Sequence, residues 1–280
     1  MNDVKMSRGR NLLFCALAVL IALVLLFPML WMLNTSLKTE AEIFQNPPTL
    51  YPHTLNLKSY IAQIETGDFN MFRSFLNSLI ISLGSMLIAV LLAVPASYAI
   101  ARYRFKGHKS VLLGFLVTQM LPVSVLLTPM FIMFRNMHLY NTWGAPILAD
   151  ATIGIPFNMI LISTGLTSIP GELYESASID GAGRFQQFTR ITLPLMRSTI
   201  ESILVLGFIY TFKVYDLVYV MTSGGPVNST QLMSTYSYKL SFDNFLYSKG
   251  SAVANALLVI LLLVGVVYVR ITSRGEEAYE

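Results

Sequence analysis

The sequence predicts an all-α integral membrane protein with six transmembrane helices, and three observations carry that reading. Of its 280 residues, 54% are hydrophobic and 12% charged, with a mean hydropathy of +0.61, too apolar a balance for a chain whose whole surface must be solvated by water. Six stretches approach the roughly 20 apolar residues a helix needs to cross about 30 Å of hydrocarbon. They lie near residues 12–33, 74–101, 110–134, 144–168, 198–221 and 251–272. Such stretches must be helical, because an open strand leaves backbone donors and acceptors without partners in lipid. One transmembrane domain over residues 1–280 is the economical organisation, with no low-complexity tract or tandem repeat.

Lys5, Arg8 and Arg10 precede the first apolar run, an arrangement shared with secretory signal peptides. No small-x-small cleavage pattern follows, and FPMLWMLNTSLK leads on through Pro28 and Trp31, so an uncleaved first helix is expected. Cys15, the single cysteine, lies inside this run; it can form neither an intrachain disulfide nor a metal site and is expected to pack as a small hydrophobe. The long first loop mixes Lys38 and Lys58 with Glu40, Glu42, Glu65 and Asp68 and contains the proline-rich QNPPTLYPHTLN. The very short second loop, by contrast, crowds Arg102, Arg104, Lys106 and Lys109 together. Basic residues favour the cytoplasmic side, which places both termini and the second and fourth loops inside the cell and the other loops outside. The formal charge of +4 resides in these clusters beside apolar runs, a pattern of membrane orientation and not of a nucleic-acid-binding stripe.

In the second span Ser82, Ser85, Ala89, Ala93 and Ala96 recur at spacings of three and four, a stripe of small side chains that lets another backbone approach. The partner in that approach is either another part of this chain or a second subunit. Pro95 in this span, with Pro122 and Pro129 in the third, are expected to kink or unwind helices. Trp31, Tyr140 and Trp143 fall near the outer ends, where amphipathic rings favour the interface. TSGGPVNST after the fifth span is a sharp turn.

The fourth loop, ELYESASIDGAGRFQQFTRITLPL at 172–195, interrupts two apolar runs with ordered polarity. Pro170 and Gly171 break the fourth span, and a short helix bounded by Gly181 is expected. A second, amphipathic helix then carries Phe185, Phe188 and Ile191 on one arc, with Gln186, Gln187 and Arg190 facing away. Leu193 and Pro194 end it.

Glu175, Ser176, Ala177, three residues, Gly181, nine residues, then Ile191, Thr192, Leu193 and Pro194 resembles the EAA signature of bacterial ABC importer permeases, E-A-A-x3-G-x9-I-x-L-P, with Ser176 in place of the first alanine. The resemblance implies a coupling helix within segment 170–194, seated in a groove of a separate ATP-hydrolysing subunit. Its docking residues would be Glu175, Ser176, Ala177, Asp180 and Gly181, followed by Phe185, Ile191, Leu193 and Pro194, with Glu175 meeting an arginine of that subunit. The alternative is that the two helices merely coat the inner leaflet, although such anchors usually carry more lysine and arginine. FPMLWMLNTSLKTEAEIF, FLNSLI and YAIARYRFKGHK resemble the smaller permease of the maltose-type carbohydrate importers, whereas FKVYDLVYVMTSGGPVNSTQL resembles the larger one. The implied partners are a second permease subunit, two copies of the ATPase subunit, an extracytoplasmic solute-binding protein, membrane lipid and a sugar. No G-x4-G-K-[ST] pattern occurs. No cofactor is therefore expected on this chain, ATP and magnesium belonging to the ATPase subunit.

Polar residues inside spans mark candidate substrate-pathway positions. Lys213 and Asp216 stand three apart, close enough to pair, with Tyr210 three residues earlier. Either they offer donors, acceptors and a ring face to a sugar, or they hold helices together. Gln119, Asn158 and Asn255 are further candidates, each equally suited to bonding between helices. Enzymatic function is not expected: His53, His108 and His138 are far apart and no HExxH pattern occurs. A carrier working alone is the remaining alternative and would need a relay of acids within spans, for which Asp150, Asp216 and Glu201 are the available residues.

Overall fold

The computed structural model of the chain describes residues 8–65, 70–103 and 105–277, so the charges read at Lys5, Asp68 and Arg104 lie outside the described residues. Among the described residues every regular element is helical. In chain order these are α1 (Arg8–Ser36), α2 (Glu40–Ile43), α3 (Lys58–Glu65), α4 (Met71–Tyr103), α5 (His108–Gln119), α6 (Val123–Asn136) and α7 (Gly144–Thr167). There follow α8 (Gly171–Ile179), α9 (Arg184–Gln187), a π-helical turn at Phe188–Thr192, α10 (Leu193–Leu195) and α11 (Arg197–Phe212). The chain continues with α12 (Asp216–Thr222), α13 (Met233–Tyr238), a second π-helical turn at Lys239–Asp243, and α14 (Tyr247–Glu277).

Helices α1, α4, α7 and α14 are each long and apolar enough to cross a membrane, and they overlap the first, second, fourth and sixth predicted stretches. The third and fifth stretches are divided. Helices α5 and α6 are bent by 96° at a break before Pro122, so 110–134 is not one helix; proline lacks an N–H and drives the preceding residue out of the helical region. Pro95 and Pro129, by contrast, lie inside α4 and α6. The run Arg184–Leu195 meets α11 at a 66° bend. Helix α11 stops at Phe212 and does not continue to residue 221. Lys213 and Asp216 stand at that interruption, both exposed, where a charge costs less than in the middle of a lipid-embedded helix. Four full spans and two bent ones make up to six crossings.

The described residues form two compact units. The first draws on 1–66 and 237–256. Its organising feature is a knot of small polar groups that joins the end of α1, the segment after it and the start of α14. The Ser59 hydroxyl lies 2.7 Å from that of Ser248, and Ser248 Oγ donates to the Lys38 carbonyl at 2.6 Å. Asn255 Nδ2 donates to Ser36 Oγ at 3.1 Å, and the Tyr60 hydroxyl lies 2.8 Å from the same oxygen. Glu42 Oε1 accepts from Thr49 Oγ1 and from the His53 N–H, both at 2.9 Å, tying the proline-rich segment down. None of the apolar stretch of α1 is buried. Cys15 is accordingly exposed instead of packed, because among the described residues none covers that part of the helix.

The second unit draws on 67–236 and 257–280, and its most extensive helix pair is α4 with α7. The small-residue stripe of α4 is turned inward within this chain: Ser82, Ser85, Ala89 and Ala93 are buried. Ser97, not Ala96, continues it; steps of four residues from Ser85 reach Ala89, Ala93 and Ser97, and Ser97 Oγ donates to the Met159 carbonyl at 3.1 Å. Around this seam Ala93, Ile100, Met159 and Ile162 form one apolar cluster. At the other end of α4, Asn77 Nδ2 donates to the Gln231 carbonyl at 3.0 Å and Ser78 Oγ accepts from the Met233 N–H at 3.0 Å. The indole N–H of Trp143 is likewise engaged, donating to the Ser229 carbonyl at 2.9 Å.

Two outcomes are expected. Ser248→Val removes the bonds of this hydroxyl to the Lys38 carbonyl and to Ser59, which keep only longer bonds from the Asn56 amide, and should cost about 0.5–1.5 kcal/mol, read as a lower unfolding midpoint in detergent. The His53 N–H, with the Thr49 hydroxyl, holds the Glu42 carboxyl below the usual carboxylate range. Because folding lowers this pKa, the stability it contributes is complete at neutral pH and disappears as pH falls below the ordinary glutamate range. Limited proteolysis of 40–57 should therefore accelerate in acid, and Glu42→Gln should flatten that dependence.

Candidate functional site

Two sites arise in the second unit. The first is the bent segment between α7 and α11. Helix α8 ends in a Schellman motif: the Ala182 N–H donates to the Ala177 carbonyl at 2.8 Å and the Gly181 N–H to the Ser178 carbonyl at 3.2 Å. Gly181 has φ +81°, a left-handed conformation that costs a side chain little only when that side chain is hydrogen. The four-residue step from Ala177 to Gly181 is thus the step from the third-last helical position to the residue beyond the cap.

The chain then reverses and is held in place. Gln187 is 6% exposed and its amide donates to Ser178 Oγ at 2.8 Å and to the Ala182 carbonyl at 3.1 Å. Gln186 Oε1 accepts from the Gly183 N–H at 2.9 Å, and the Tyr174 and Thr192 hydroxyls lie 2.9 Å apart. The π-helical turn admits Pro194: a wider turn supplies the Leu193 N–H to the Phe188 carbonyl and relieves the clash that a proline ring makes with the preceding turn. Helix therefore runs through Leu193 and Pro194 to Leu195 and breaks at Met196, just beyond the end that proline alone predicts.

Which side faces inward also differs from the predicted amphipathic arc. Phe185 is 78% exposed while Gln187 is buried, because the Gln187 amide serves polar groups of the reversed chain. Phe188 does pack inward, its ring edge-on to Tyr98 at 5.1 Å. The Arg102 guanidinium lies over the Tyr174 ring at 4.4 Å, and that of Arg184 over Tyr103 at 5.6 Å. Three aromatic contacts thus fasten the segment to the last turns of α4. On its free side Glu175, Ser176, Asp180 and Gly181 are exposed, as are Phe185 and Pro194; Ala177, Ile191 and Leu193 are half-buried. Ile179, 87% exposed, is the residue that motif matching passes over, since it occupies a position the signature leaves open.

The second site is a cavity of about 320 Å³ bounded by α4, α5, α7 and α11. It brings together Gln119, Asn158 and Tyr210, three predicted pathway residues from three helices. Gln119 Nε2 donates to the Ile153 carbonyl at 3.2 Å. Lys213 and Asp216 do not line the cavity and make no ion pair with each other; the Lys213 ammonium lies over the Tyr210 ring at 4.9 Å and Asp216 opens α12. Asn255 belongs to the other unit, where its amide bonds Ser36 as described. The sequence marks Asp150 only as an acid within a span, yet its carboxylate lines the cavity and accepts from Thr211 Oγ1 at 2.8 Å. No spacing rule relates residue 150 to residue 211; only the crossing of α7 and α11 does.

The fold and its two sites define a multi-pass membrane protein with a rigid surface turn at one end of its longest helix. The chain belongs to the family described as the binding-protein-dependent transport system inner membrane component, which matches residues 85–274. It is a transport component and not an enzyme. It is 31% identical over 239 residues, 84% of this chain and 85% of the relative, to the inner membrane ABC transporter permease protein YcjP of Escherichia coli strain K12. It is 28% identical over 253 residues, 90% of each chain, to the diacetylchitobiose uptake system permease protein DasC of Streptomyces coelicolor. In fold it resembles, with TM-score 0.77 and 20% identity over 95% of this chain and 98% of the other, a chain of a bacterial ABC transporter involved in the import of the acidic polysaccharide alginate.

Gly181→Val is expected to destabilise the turn by about 1–2 kcal/mol through its left-handed backbone without preventing membrane insertion. Amide hydrogen exchange across 176–190, read by mass spectrometry, should rise; unchanged exchange would show that the turn does not need the glycine.

Proposed function

We propose that this chain is the transmembrane permease subunit of an ATP-driven carbohydrate importer in the bacterial cytoplasmic membrane, where it forms half of the translocation pathway. The observation that carries the reading is the bent segment, a hydrogen-bonded turn on the EAA-like signature whose outer side presents Ile179, Phe185 and Glu175 in a chain of the importer family. Exposed apolar side chains beside a carboxylate suit a partner groove with a cation at its edge. In this reading both termini and the turn face the cytoplasm. Two ATPase subunits bind ATP and magnesium, one receiving this turn and the other its counterpart on a second permease subunit. An extracytoplasmic binding protein delivers the solute from the other side. The name of the diacetylchitobiose permease supports a carbohydrate as cargo.

Mechanically, a groove that moves as ATP subunits close and open pushes on α8. The contacts Tyr98 to Phe188 and Arg102 to Tyr174 pass that displacement to α4, whose inward stripe borders the cavity at Ser85 and Ala89. A packed seam transmits such motion because it is nearly incompressible.

The test is the transporter reconstituted in proteoliposomes with its partners. Glu175→Lys should leave insertion and assembly of the permeases intact and reduce ATP-driven uptake by roughly tenfold or more, with hydrolysis no longer linked to transport. Undiminished uptake would remove the docking role, and uptake by the lone chain without ATPase would replace this reading with that of an autonomous carrier.

A further inference from the structure

The cavity has a chemical character that membership of the family does not specify. Its one charged wall group is Asp150; among the described residues, no lysine, arginine or histidine lines it. The carboxylate is held by Thr211 through Oδ2. The buried Ser85 hydroxyl lies beside it on the same wall. Asn158, 7% exposed, and Gln119 present amides, while Tyr210 and Phe157 contribute rings. An ionised carboxylate only accepts hydrogen bonds and takes two hydroxyls at once. Amides supply donors and acceptors, and ring faces suit the apolar C–H surface of a pyranose. An anion entering this space meets a like charge across a medium that screens poorly, with no cation on the walls to offset it.

We propose that Asp150 makes the cavity a charge filter, accepting hydroxyls of neutral or amine-bearing polyhydroxylated solutes and excluding those that carry carboxylate, phosphate or sulfonate groups. The inference rests on the cavity's belonging to the translocation pathway, and it names the substrate class that the importer reading leaves open. Lys213 is not among the wall residues; its ammonium lies over the Tyr210 ring at 4.9 Å.

The filter can be read without knowing the natural solute. Gly154 lies one helical turn from Asp150 on the same face of α7, lines the cavity, and has nothing within 4 Å of an added Cβ, so Gly154→Cys places a thiol there. With Cys15 replaced by Ser, the reconstituted transporter is treated with 2-aminoethyl methanethiosulfonate, a cation, or 2-sulfonatoethyl methanethiosulfonate, an anion. The cation-to-anion rate ratio should exceed that of a free thiol by on the order of tenfold. Asp150→Asn should return it to the free-thiol value, and Asp150→Glu should retain it. Asp150→Ser serves as a second neutral variant if the asparagine protein does not assemble. A ratio indifferent to the charge at 150, or a cysteine that reacts with neither reagent, overturns the filter. ATP-driven uptake of the binding protein's ligand is measured in the same vesicles. Absent uptake with a carboxylate-dependent ratio counts against the importer reading alone, whereas normal uptake with an indifferent ratio counts against the filter alone.

Discussion

The close approach of α4 to α7 along serine and alanine is the contact on which the other features depend. Lipid offers no hydrophobic drive for one apolar helix to meet another, so association rests on packing and on hydrogen bonds between helices. Small side chains at Ser82, Ser85, Ala89, Ala93 and Ser97 allow the backbones close enough for Ser97 to bond a main-chain carbonyl of α7. The same helix carries Tyr98 and Arg102 at one end, Ser85 and Ala89 in its middle and Asn77 and Ser78 at the other. One helix, positioned by one seam, therefore sets the mounting of the bent segment, one wall of the cavity and the anchorage of the segment after α12.

Rigidity in the bent segment has a different origin. It has little core of its own, and short helices are unstable without tertiary support. Its shape comes from satisfied polar groups: a Schellman cap at Gly181, the buried Gln187 amide across the reversal, and the Tyr174 to Thr192 hydroxyl pair. Polar groups that find partners inside can leave apolar ones outside, and Ile179 and Phe185 are left there. In the proposed importer a partner protein would cover these side chains, since a free surface in water gains nothing from them.

The two interruptions of the spans fit this division of labour. The break before Pro122 follows Gln119, and the bend at Met196 separates the run Arg184–Leu195 from the helix that carries Thr211 and Tyr210. Irregular backbone at membrane depth is tolerated where it borders protein or a water-filled space and not where it meets lipid. The end of α5 at Gln119 borders the cavity.

Four long apolar helices, most of the stripe on the second of them and the helix, glycine turn, helix form of the fourth loop were legible in the amino-acid order, because they rest on local terms: transfer of side chains from water, helical periodicity and the left-handed tolerance of glycine. Motif spacing likewise revealed the exposed Glu175 and the turn at Gly181. What only the tertiary structure decided is who faces whom. Gln187 points in and Phe185 out, because the Gln187 amide finds its partners on the reversed chain. Asn255 bonds Ser36 while Asn158 borders a cavity, although both are amides within apolar runs. Asp150 joins Thr211 across 61 positions of sequence because α7 and α11 cross there. Periodicity fixes a side chain's direction relative to its own helix axis, and the rotation of that helix against its neighbours is set by packing that no single helix encodes.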